Sequence, residues 1–148
     1  MTLSYLKKRL YEIVWCSDLL TTRVSLAIGS LIWGLLLLWP GELFTPARTT
    51  YRLMSEIANE NVWGVIFVAH SIVSFWQLIT RNLKSTGAIA NSFVGCILWT
   101  SSTIACFLSH FVTLETFQPP AALGADFAFV LASWWVLTKS LIERYRNG

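Results

Sequence analysis

Four stretches of about 20 mostly apolar residues divide this chain, each long enough to cross the hydrocarbon core of a bilayer as a helix. They fall at residues 22–39, 62–80, 88–112 and 123–142. The first contains SLAIGSLIWGLLLLW, carries no charge beyond Arg23 at its edge, and stops at Pro40–Gly41. Composition agrees: 13% of residues are charged and 55% are apolar. Soluble domains carry about a quarter charged residues, and too few are present here to clothe a surface in water. The expected fold is therefore all-α: a single membrane domain, residues 1–148, of four transmembrane helices.

The intervals between the spans add two smaller helices. Over residues 1–20, Leu3, Leu6, Leu10, Ile13 and Val14 recur near helical spacing, apart from Lys7, Lys8 and Glu12. This predicts an amphipathic helix lying along the inner face of the bilayer, with a soluble helix docked on another subunit as the alternative. The leader is long and no A-x-A-like site follows the first span, so a cleaved signal peptide is not expected. Residues 45–58 predict a short helix on the outer surface. Thr45–Pro46 would start it, Tyr51, Met54, Ile57 and Ala58 would share one side, and Asn59–Glu60–Asn61 would break it. The short link from Arg81 to Gly87 predicts a tight antiparallel hairpin of the second and third spans. Pro119–Pro120 separates the third span from the fourth.

Charge gives the orientation. Nine of the eleven basic residues (Lys7, Lys8, Arg9, Arg23, Arg81, Lys84, Lys139, Arg144, Arg146) fall on one side if the chain crosses four times, leaving Arg48 and Arg52 opposite. The positive-inside rule then places both termini in the cytoplasm of a multi-pass protein of the inner (plasma) membrane. No basic run interleaved with aromatics suggests nucleic acid, so the expected partners are the lipid bilayer and copies of the chain or another membrane protein.

Polar residues inside a membrane are costly, and each one is a candidate for function. His70, His110 and Asp126 are all expected in the outer half of the bilayer, where they would form a proton relay or small polar chamber. The plainer reading has Asp126 favouring a helix N-terminus and the histidines bonding at the boundary. Trp63, Phe67, His70, Ser74 and Gln77, at steps of four, three, four and three, form one helical face that should point at protein. At mid-span, Thr100, Ser101, Ser102 and Thr103 are expected to bond back to their own helix, or else to line a wet path. Small residues four apart mark close packing: Ser30 and Gly34; Ala88, Ser92, Cys96 and Thr100; Gly124, Ala128 and Ala132. Cys16, Cys96 and Cys106 lack metal spacing and read as small apolar side chains. No catalytic constellation, metal site or cofactor motif is recognised, so no enzyme is expected.

The stretch Tyr51–Arg52–Leu53–Met54, Ala58, Glu60 and Trp63–Gly64–Val65–Ile66–Phe67 resembles a pattern in small four-span membrane proteins of tailed bacteriophages and prophages. The resemblance implies a phage-encoded protein of the host inner membrane or of the virion-to-host interface, and carries over no catalytic residues. Three roles follow as expectations. The first is a structural or pore-like, holin-like helical assembly. The others are an accessory subunit docking a larger complex, and a small transporter using His70, His110 and Asp126.

Overall fold

The computed structural model describes residues 19–40, 52–80, 85–112 and 121–147. The expected amphipathic helix at 1–20, and the Thr45–Pro46 start, lie outside or almost wholly outside them. Five helices are present: α1 (Leu19–Leu38), α2 (Arg52–Ile57), α3 (Glu60–Ile79), α4 (Thr86–Val112) and α5 (Ala121–Asn147). There is no strand among the described residues. Four of the helices, α1, α3, α4 and α5, are long and apolar enough to cross a membrane. Their limits match the expected spans to within two or three residues, except that α5 runs on past residue 142 to Asn147.

Contacts between named residues give the helix directions. Ala27 of α1 meets Ser71 of α3, and Gly34 meets Gly64. Ser74 of α3 meets Asn91 of α4, and Phe67 meets Trp99. Thr86 of α4 meets Arg144 of α5, and Phe107 meets Phe127. Successive spans are thus antiparallel, and Arg23 near the start of α1 reaches Ser140 near the end of α5. The bundle is up-down-up-down, with the start of α1 and the end of α5 on one side.

The most extensive pairings are α1 with α3 and α4 with α5. The hairpin expected between α3 and α4 is antiparallel, but it is the more loosely packed neighbour. Glycine explains the difference. A Cβ on Gly34 would lie 2.9 Å from the Gly64 carbonyl, and one on Gly64 would lie 3.0 Å from the Gly34 carbonyl. The two backbones touch there, which is how helices gain attraction where lipid removes the hydrophobic effect. Ala88 and Cys96 are likewise buried, whereas large apolar side chains such as Ile32, Ile72, Ile97 and Leu131 cover the outside. That outward greasiness suits hydrocarbon.

The short helix α2 does not simply lie on a surface. Met54 is fully buried, with its sulfur 3.7 Å from Ser102 Oγ and 3.8 Å from Cys106 Sγ on α4. Its carbonyl accepts the Trp63 indole N–H at 3.1 Å, and the Leu53 N–H donates to Ser109 Oγ at 3.1 Å. The expected break at residue 59 is a cap: Asn59 Oδ1 accepts the Val62 N–H at 2.9 Å, and α3 starts at Glu60.

Candidate functional site: a polar half and a carboxyl half

An aromatic layer divides the bundle across its middle. Phe67 of α3 meets Trp99 of α4 edge-on at 5.2 Å, and Trp99 stacks on Phe129 of α5 at 4.5 Å. Phe129 in turn packs against α1 at Gly29, where a Cβ would be 2.5 Å from its ring. All four spans contribute to this layer.

On the side of the helix ends that carry Arg23 and Ser140, the core is polar. His70 is 8% exposed, and its Nδ1 lies 3.2 Å from Ser30 Oγ. The same Ser30 oxygen accepts the Trp99 indole N–H at 3.2 Å. Indole only donates, so the Ser30 oxygen is shared between the two rings, and the other imidazole nitrogen, Nε2, lies on the far edge of the histidine ring. That edge of the ring faces Gly95 and the Asn91 backbone. A Cβ on Gly95 would be 2.7 Å from Nε2, so this glycine makes room for the ring. One imidazole thereby links α1, α3 and α4.

Below it, Ser74 Oγ donates to the His70 carbonyl at 2.8 Å and accepts from Asn91 Nδ2 at 2.9 Å. Asn91 also reaches Gln77 Oε1 at 3.3 Å, and Gln77 Nε2 donates to the Gly87 carbonyl at 3.2 Å. Arg23 Nη2 donates to Ser140 Oγ at 2.6 Å, near the carboxylate of Glu143. These groups surround a cavity offering ≈ 30 Å³ to the centres of water-sized molecules, room for one or two waters. The cavity can hydrate the bundle as far as His70.

Beyond the aromatic layer lies Asp126, 5% exposed, near Cys106 and in a separate groove with Trp33 and Phe129. The expected grouping of His70 with Asp126 is therefore corrected. His70 is the eleventh of the twenty residues of α3, and its side chain turns toward Ser30 and Gly95, while Trp99 stands between it and the Asp126 groove. His110 belongs to α4, but its side chain lies outside the described residues.

The remaining expectations divide. The face Trp63, Phe67, His70, Ser74 and Gln77 does point at protein, and that protein is the same chain. In the hydroxyl cluster only Ser101 bonds back as expected, to the Leu98 carbonyl at 3.1 Å. Thr100 accepts the Trp134 indole N–H at 3.1 Å, and Ser102 faces Met54. Thr103 Oγ1 is buried without a hydrogen-bond partner among the described residues. Neighbouring helices, not the helix's own carbonyls, hold Thr100 and Ser102. Ser30, Gly34, Ala88 and Cys96 are buried in the bundle, Ser92 and Ala132 are half-buried, and Gly124 and Ala128 are exposed. Asn91, Ser71, Gly95 and the long reach of Arg23 were missed. A polar residue near the end of an apolar run looks like a boundary residue, so only the polar spacing Asn91–Gly95 opposite His70 could have hinted at them.

Protein-family models, curated proteins and solved structures were compared with the chain, and none matches. What the fold defines is a class: a multi-pass helical membrane protein whose four spans are tied by an internal polar network.

Proposed function

We propose that this chain is a non-enzymatic protein of the inner (plasma) membrane that works by assembling with copies of itself, as a structural or pore-like element of the holin kind. The outward face of α5 carries the reading. Gly124 and Ala128 stand one turn apart and exposed, and a Cβ on Gly124 would meet nothing within 4 Å. The stripes on α1 and α4 are already occupied inside the bundle, so this one remains for a second helix to approach closely. Aromatic side chains fill the middle of a single bundle, so a pore under this reading runs between copies. The antiparallel order and the clustering of nine of eleven basic residues support cytoplasmic termini. The likeness of residues 51–67 supports a phage setting.

Light scattering of the protein in mild detergent tests the assembly. The wild type is expected to be an oligomer, and the double variant Gly124→Leu/Ala128→Leu a monomer of unchanged helicity, because both side chains enter open space. A wild type that stays monomeric at every concentration overturns the proposal.

A further inference from the structure

The groove on the seam of α1 and α5 was not absorbed by the assembly reading. It holds ≈ 480 Å³ with its open mouth included and is lined by Gly29, Ile32, Trp33, Trp99, Asp126 and Phe129, together with Ala125. Ile32 and Ala125 at its rim are exposed, so among the described residues it opens sideways, toward hydrocarbon. Every wall residue is apolar or aromatic except one. Asp126 is 95% buried, and among the described residues its carboxylate makes neither a hydrogen bond nor an ion pair.

A carboxylate buried in apolar surroundings needs a proton or a cation. A hard divalent ion would ask for several oxygen ligands, and no group of three metal-binding side chains exists among the described residues. The walls suit a different cation. Trp33, Trp99 and Phe129 all line the groove, the last two stacked at 4.5 Å. Aromatic faces attract organic cations through the ring quadrupole, most strongly when water is excluded. A ligand arriving through the side opening must also dissolve in hydrocarbon.

We propose that this groove binds a lipophilic organic cation, an aryl or alkyl ammonium, with its charge on Asp126 and its apolar body among Trp33, Trp99 and Phe129. The volume fits a small ligand of this class, and the site is independent of the exposed stripe on α5.

The test uses phenyltrimethylammonium and its uncharged carbon isostere tert-butylbenzene, with the full chain in lipid nanodiscs, equilibrium dialysis, and empty nanodiscs subtracted. Saturable binding of the ammonium is expected, with weaker binding of the isostere. Asp126→Asn should weaken the ammonium by about tenfold or more while leaving the isostere unchanged. In the unmodified protein, the ammonium should also protect Asp126 from forming an N-acylurea with dicyclohexylcarbodiimide, read by peptide mass. This keeps the test decisive should the variant fail to fold. Equal binding of ammonium and isostere, an Asp126→Asn protein that binds as well as wild type, or labelling of Asp126 indifferent to the ammonium would each overturn the proposal.

Discussion

Replacing Gly34 by alanine adds one methyl group at the point where α1 and α3 touch. Its carbon would stand 2.7 Å from Val68 Cγ2, 2.9 Å from the Gly64 carbonyl and 2.9 Å from the Val68 nitrogen. The valine can rotate away, but the two backbone atoms cannot. Restoring ordinary contact at 3.4 Å requires the helices to part by about half an ångström. Two bonds cross that seam close by: Ser71 Oγ to the Ala27 carbonyl at 2.8 Å, and the His70–Ser30 pair at 3.2 Å. Interhelical bonds in membranes average about 0.6 kcal/mol each, and overpacking costs about 1–3 kcal/mol. Gly34→Ala should therefore destabilise the fold by about 2 kcal/mol. Unfolding in mixed micelles of mild detergent and dodecyl sulfate, followed by circular dichroism, measures it. Gly87→Ala is the control: its methyl would stand in ordinary contact, 3.8 Å from Ser85 Oγ, and the change should stay within about 0.5 kcal/mol. Equal effects at the two positions would refute the reasoning that backbone proximity at Gly34 holds α1 to α3.

Two further outcomes follow from the core. A double-mutant cycle of His70→Ala with Ser30→Ala should return a coupling of about 0.6–1.7 kcal/mol in the same unfolding assay, since each change removes a bond the other shares; additive effects would show that the pair contributes nothing to stability. Met54→Ala should cost about 2 kcal/mol or more, because it empties a fully buried site. It should also speed maleimide labelling of Cys106, which lies 3.8 Å from the Met54 sulfur; unchanged labelling would show that Met54 does not shield this thiol.

The spans were legible because hydrocarbon thickness fixes how long an apolar run must be, and nothing about a partner is needed to see it. Their ends were less so. Once α5 passes Lys139, Ile142, Glu143 and Arg144 continue as good helix formers, and Arg144 finds Thr86 on α4, so the helix persists to Asn147. The protein-facing side of α3 was legible from its spacing. What spacing could not convey is how each helix is rotated against its neighbours, and that rotation decides chemistry here. It gives His70 to Ser30 and not to Asp126, and turns Thr100 toward Trp134 and not back upon its own helix. The burial of Met54 was equally hidden, since its sulfur contacts lie 48 and 52 positions away on α4.

The bond from Arg23 to Ser140 joins residues 117 positions apart. During synthesis the guanidinium enters the bilayer with the first span, long before Ser140 and Glu143 exist to receive it. Chains cut short before α5 lack those partners for Arg23. The contact can therefore close only in a chain whose last span is in place.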